Sequence, residues 1–145
     1  MPRVSMYINF TNKTEEAFLF YKSVFGGEFT APGIRRFGDM PAMNGMPATP
    51  PHLVNLVMHV ELPILGGYIL MGTDAPPEMG FSVTTGNNMH INLEPDTREE
   101  TKRLFNAIAD GGKVITALQE MFWGAYFGNC KDKFGINWMF NCMGK

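Results

Sequence analysis

The sequence predicts an α+β fold of two tandem βαβββ modules, and three observations carry that prediction. A strand-like run, a helix with one apolar face and a Gly-Gly stop occur twice, from Ser5 to Gly27 and from Asn88 to Gly112. Three further strand-like runs follow each copy, so the chain is a weak tandem repeat. Near the C-terminus, QEMFWGAYFGNCKDKFGINWMFN (Gln119 to Asn141) sets aromatic-rich runs on either side of DKFG, a charged turn closed by Gly135. Aromatic and β-branched residues suit a pleated, half-buried surface, and a Gly-closed polar break between two such runs signals a hairpin. The same stretch gathers a carboxylate, an amide and two indoles, the composition of a pocket wall.

The first strand is SMYINF, Ser5 to Phe10. In the helix that follows, Asn12 and Glu15 have capping-box spacing, and Ala17, Phe18, Tyr21, Val24 and Phe25 share a face before Gly26-Gly27. GEFTAPGIRRF reads as a strand broken at Pro32-Gly33, which points to a bend or bulge. Residues 38–51, with four prolines, three methionines and no period, are expected to form a loop over or beside the pocket, or a plain surface excursion. HLVNLVMHVEL and GGYILMGTD are two more strands joined tightly through Pro63 to Gly67. Alternation in the first puts Asn55, Val57, His59 and Glu61 on one face and Leu56, Met58 and Val60 on the other.

A Pro-, Gly- and Thr-rich segment from Asp74 to Asn87 then links the copies. In the second copy NMHINLE is the strand, Thr97 and Glu100 repeat the capping-box spacing, and Leu104, Phe105 and Ile108 give the apolar stripe. Gly111-Gly112 stops that helix, and KVITALQEMF, AYFGNCKDKF and INWMFNC supply three strands. The expected organisation is a single domain, 1–145, with a first half 1–74, a linker 75–87 and a second half 88–145. One helix and so few strands cannot bury both sheet faces of a module. The halves are therefore expected to share a core, within the chain or with a partner chain, and a homodimer is expected.

Composition narrows the partners. The chain has 145 residues, 45% hydrophobic and 18% charged, which suits a compact domain with a real core. Net charge is −2, and no Lys/Arg cluster exceeds Arg35-Arg36 and the Lys131/Lys133 pair, so no nucleic-acid partner is expected. No apolar run approaches the roughly 20 residues of a spanning helix, and MPRVSMYINF lacks the features of a secretory signal. The expectation is a cytoplasmic protein with no membrane partner. Cys130 and Cys142, on opposite hairpin arms and unequally far from the turn, read as free thiols.

On EEAFLFYKSVFGGEF, on the HVEL…GG…LMGTDAP segment and above all on Gln119 to Asn141, the chain resembles the vicinal oxygen chelate superfamily. That superfamily includes glyoxalase I, bleomycin- and fosfomycin-resistance proteins and extradiol dioxygenases; more narrowly, the chain is similar to its PhnB-like branch. The resemblance spans nearly the whole chain and is weakest over residues 38–51. It implies a glyoxalase/bleomycin-resistance-like fold in which the two βαβββ modules form a cupped mixed sheet. In the superfamily's enzymes, His or Glu on the first and last strand of each module holds a divalent metal that acts as a Lewis acid. Aligned on FYKSVFGG, those positions fall at Met6, near Leu70, at His90 and near Met139. Thioether and alkyl side chains do not serve such a metal, so the resemblance implies a degenerate metal site, no metal, no cofactor and a softer, apolar cup. Neither strand-to-helix turn carries the Gly-rich motif of an adenosylmethionine site.

His90 reads as a pocket donor or general base, or as a histidine satisfied within its strand. Glu120 reads as a desolvated carboxylate fit for acid-base work, or as structure at a strand end. These two are the catalytic candidates. His59, His90, Gln119, Trp123, Tyr126, Met6, Leu70 and Met139 are the ligand-binding candidates, with Trp123 and Tyr126 as amphipathic aromatics that close over ligands. Three function classes stand. The first is a protein of the bleomycin-resistance kind that sequesters an unidentified small molecule, expected to be apolar or aromatic, in an apolar cup without chemistry. The second is an enzyme, either metal-free on His90 and Glu120 or with a metal relocated to His59, His90 and Glu120. The third is a non-catalytic structural or regulatory subunit.

Overall fold

The computed structural model describes residues 2–40 and 49–145, so most of the loop expected over 38–51 lies outside the described residues. The chain divides into two compact units, Met1–Val83 and Thr84–Lys145. In the first, β1 (Met6–Phe10), α1 (Thr14–Phe25), β2 (Arg35–Arg36), β3 (Val57–Pro63) and β4 (Ile69–Asp74) give a four-stranded sheet ordered β1-β4-β3-β2. In the second, β5 (Ile91–Leu93), α2 (Arg98–Ala109), β6 (Lys113–Glu120), β7 (Tyr126–Lys131) and β8 (Asn137–Cys142) give the order β5-β8-β7-β6. The first strand of each unit runs parallel to the last and every other pair is antiparallel. The α+β fold of tandem βαβββ modules is thus the one found. No helix among the described residues is long and apolar enough to cross a membrane.

Each helix covers one face of its own sheet. Ala17, Phe18, Tyr21 and Val24 are the buried stripe of α1, which lies on β3 and β4. Gly72 lets it close in, because a Cβ there would collide with Phe18 Cε1. In the second unit Thr101, Leu104, Phe105 and Ile108 of α2 lie on β7 and β8, and Phe105 meets Phe140 edge-on at 5.3 Å. Both Gly-Gly pairs stop their helices with positive φ, 75° at Gly26 and 78° at Gly111, which glycine adopts without steric cost.

The two helix starts differ. Thr97 Oγ1 accepts from Glu100 N at 3.1 Å, as its spacing predicts, although the Glu100 side chain turns to Arg103 instead of back to the cap. The box expected from Asn12 and Glu15 does not form, since α1 begins at Thr14 after Lys13 with no side-chain cap from that turn. A distant carboxylate takes its place: Asp74, 3% exposed, accepts from Thr14 N at 3.0 Å through Oδ1 and from Val57 N at 2.8 Å through Oδ2. β4 ends under the start of the helix, so its last side chain reaches N–H groups that a local cap would otherwise serve.

Two strands depart from the expected pattern. Register runs from Arg35↔His59 to Arg36↔Val57, leaving Met58 as an extra residue on β3. That bulge turns Val57 onto the buried face with Val60 and Leu62, correcting the alternation that grouped Val57 with His59. The run GEFTAPGIRRF yields only the two-residue β2, because Gly33 N bonds Thr30 O at 2.9 Å and folds its first part into a turn. The DKFG hairpin forms as expected, and its aspartate is buried. Asp132 accepts from Phe134 N at 2.8 Å, Ile136 N at 3.0 Å and Trp138 Nε1 at 2.9 Å. Cys130 and Cys142 are free and buried. Burial, with the Asp132 charge second, pushes the Cys130 thiol up to about 12.

Candidate functional site

In the first unit, register separates the open face of the sheet from the one α1 covers. Met6, Leu70 and Leu62 form one row across β1, β4 and β3, and Tyr7, Met71 and Glu61 form the next. Leu70 is fully buried and shares its face with Gly72, under Phe18. The ligand-binding candidates Met6 and Leu70 therefore point to the helix side, and the open side begins one residue on. A one-residue shift in a strand sends a side chain to the other face.

On the open side His59 Nε2 and Glu61 Oε2 stand 2.8 Å apart, and the Tyr7 ring lies 5.7 Å from the imidazole. An ionised carboxylate only accepts, so the ring donates through Nε2 and keeps Nδ1 for another partner. Beside this pair is a cavity of about 180 Å³ lined by Thr30, Ala31, Pro32, Gly33, Arg35, His59 and Glu61. Its rim is pinned where Thr30 N donates to Glu61 O at 2.9 Å. Consecutive strand residues face opposite ways, and the two arginines of β2 divide accordingly. Arg36 grips Glu15 with Nη1 and Nη2, both at 2.9 Å, and donates to Asn55 O at 2.7 Å. That grip holds the Glu15 carboxyl below its usual range. Arg35 faces the cavity.

The superfamily's divalent metal does not fit these donors. Among the described residues no three His, Cys, Asp or Glu side chains come together in a metal-holding group. His59 and Glu61 offer two ligands where a catalytic site of this kind needs about three.

The second unit has a different open face. Asn92, Met139 and Asn129 form one row across β5, β8 and β7, and Asn141, Phe127 and Gln119 form another across β8, β7 and β6. Asn129 Oδ1 is buried without a hydrogen-bond partner among the described residues. Trp123 stands in the β6–β7 turn, edge-on to Phe127 at 6.1 Å, while its neighbour Phe122 is almost wholly exposed. The candidates Gln119 and Met139 thus share a face, and Trp123 borders it through Phe127. Tyr126 belongs to the helix side instead, with Arg98 Cζ 5.1 Å and Lys102 Nζ 5.8 Å from its ring centroid.

Glu120 is not a desolvated carboxylate. Its side chain is 67% exposed and pairs with Arg98 at 3.2 Å, because β6 is an edge strand and its end lies open to water. His90, half-buried, precedes β5 at the opposite edge, level with Asn137 of β8, whereas Glu120 is level with Cys142. Three inter-strand steps and five residues along the strand separate the two by on the order of 20 Å. They cannot serve one proton-transfer centre, or bind one metal. Sequence pattern singled out Gln119 but neither Arg35 nor the asparagines of the amide rows. Adjacent arginines on a strand, which must diverge, and the N-x-M-x-N spacing of Asn137, Met139 and Asn141 were the available signals.

The family model described as 3-demethylubiquinone-9 3-methyltransferase matches residues 2–140. Protein YjdN of Escherichia coli (strain K12) is 31% identical over 143 residues, covering 95% of this chain and 93% of its own. Among solved structures, protein PA1353 from Pseudomonas aeruginosa is similar with a TM-score of 0.84 at 33% identity over 100% of both chains. The PhnB protein from Bacillus cereus is similar with a TM-score of 0.71 at 25% identity, over 97% of this chain and 99% of its own. A glyoxalase/bleomycin resistance protein/dioxygenase family enzyme from Burkholderia phytofirmans PsJN, 21% identical over 94% of this chain and 96% of its own with a TM-score of 0.58, shares the fold.

Proposed function

The chain belongs to the 3-demethylubiquinone-9 3-methyltransferase family, and on that premise we propose that it is a small-molecule-binding protein of the PhnB-like, glyoxalase/bleomycin-resistance type. The observation that carries the proposal is the cavity of about 180 Å³ that joins the Thr30–Gly33 turn to the hydrogen-bonded His59 and Glu61. Small-molecule sites are concave and aim a few convergent polar groups at the ligand. His59 is the ligand-binding candidate in that wall, and Gln119, Met139 and Trp123 are the candidates on the open side of the second sheet. The metal site is read as degenerate. Methyl transfer is not proposed, because neither strand-to-helix turn, residues 11–13 or 94–97, contains a glycine to let backbone approach a nucleotide-like cofactor.

A second reading is favoured by one contact. His59 held by Glu61 at 2.8 Å is a positioned base with Nδ1 available, so metal-free proton transfer would use this pair and not His90 with Glu120. A thermal-shift panel of small metabolites tests the binding reading. A ligand at a hundred times its Kd should stabilise the protein by about 2.7 kcal/mol, and His59→Ala should abolish that gain. A panel with no shift would return the chain to the structural-subunit class. Each single-helix sheet has an open face, so we also propose a homodimer; light scattering showing a monomer at micromolar concentration would refute it.

A further inference from the structure

We propose that the first-unit cavity takes a small carboxylate, with the Arg35 guanidinium as counter-charge and His59 as hydrogen-bond partner; this rests on the binding reading above. Arg35 is set apart from Arg36 by what each touches. Arg36 is committed to Glu15 and to Asn55 O, whereas the side chain of Arg35 enters no hydrogen bond or ion pair among the described residues and the residue lines the cavity. A guanidinium presents a planar fork of donors that matches a carboxylate bidentately.

Glu61 is the anionic group in the wall, and its Oε2 accepts from His59 Nε2 at 2.8 Å, which directs its charge onto the imidazole. With Nε2 donating, Nδ1 is an acceptor, so it is left for a hydroxyl of the ligand, as in glycolate, while Arg35 takes the carboxylate. An ammonium ligand would need the reverse arrangement, a carboxylate without a ring partner and no guanidinium beside it. At about 180 Å³ the cavity is small, which suits one carboxylate with a few further heavy atoms. The Thr30–Gly33 turn, tied to β3 through Thr30 N and Glu61 O at 2.9 Å, forms the wall beside it.

Nitrogen-15 spectra of the full chain, titrated with glycolate, pyruvate and malonate, test this. Acetamide serves as neutral control and ethanolamine as cationic control. Saturable shifts are expected at the amides of Thr30, Gly33, Arg35, His59 and Glu61. Arg35→Gln should weaken carboxylate binding at least tenfold and Arg35→Lys less, while Glu61→Gln should leave it equal or tighter. Arg35 is exposed, so both its variants should keep the wild-type spectral dispersion. Carboxylate binding indifferent to Arg35→Gln, or ethanolamine binding that Glu61→Gln removes, would overturn the proposal. Acetamide saturating these amides where carboxylates do not would overturn it and leave the binding reading standing. Silence from every probe would sink both.

Discussion

The two units repeat one topology and fasten it differently. In the first, α1 is started by Asp74, 60 residues away along the chain, and α1 and β2 are joined by the Arg36–Glu15 pair. In the second, α2 is started by its own Thr97 and has one ion pair inside the helix, between Glu100 and Arg103, beside the exposed Arg98–Glu120 pair to the end of β6. The open faces differ in the same sense. The first concentrates charge, with His59, Glu61 and Arg35 at a cavity, while the second spreads amides around Met139 and Phe127. Repeated patterning suffices to repeat a fold, because topology depends on where apolar residues fall. Chemistry depends on single polar residues, and these have diverged.

The largest effect expected is at Asp74. Asp74→Ala leaves the buried N–H groups of Thr14 and Val57 without an acceptor, at about 1–3 kcal/mol each, so urea denaturation should show a loss of about 2–6 kcal/mol. Thr97→Ala removes one local cap and should cost about 1 kcal/mol. Equal losses would break the contrast between a long-range and a local anchor. Asp74→Asn sharpens it: one amide oxygen can still serve one of the two donors, so its loss should fall between the other two.

Thiol chemistry gives a smaller, kinetic test of the second unit. With its thiol pushed up to about 12 by burial, Cys130 holds almost no thiolate near neutral pH. Iodoacetamide should leave it unmodified in the native protein and label it promptly in urea. Labelling of Cys130 in the native state at the rate of an exposed thiol would mean that the β7–β8 hairpin opens readily.

The same contrast explains what was legible in the sequence. The repeat of strand, helix and Gly-Gly, the DKFG hairpin and the Thr97 cap were readable, since each is encoded by neighbours within a few positions. The Asp74 anchor was not, because no local pattern says that a strand end will lie beside a distant helix start. The candidate site fared likewise. His59 and Glu61 were readable as one polar face, but the bulge at Met58 hid which apolar residue lay opposite, and a single step of register moved Met6 and Leu70 to the wrong side. Glu120 had the right chemistry at an edge strand, where water and Arg98 claim it.

The smallest effect concerns the two carboxylate–arginine pairs that lower a carboxyl pKa. Hydrogen bonds from Arg36 hold the Glu15 carboxyl below its usual range, and those from Arg103 do the same for Glu100. A lowered carboxyl in the folded state contributes stability above its unfolded pKa, and that contribution disappears as pH falls through the folded value. Both side chains are part-exposed, so each pair should be worth no more than about 1 kcal/mol. The Glu100–Arg103 pair spans three residues of one helix, a spacing worth only about 0.2–0.5 kcal/mol. The Arg36 pair joins β2 to α1 and exists only once the first unit has folded. Arg36→Met should therefore cost more than Arg103→Met near neutral pH, and both differences should vanish in acid, below the carboxylate range. A difference for Arg36→Met that persists in acid would assign its role to the Asn55 carbonyl contact instead of to Glu15.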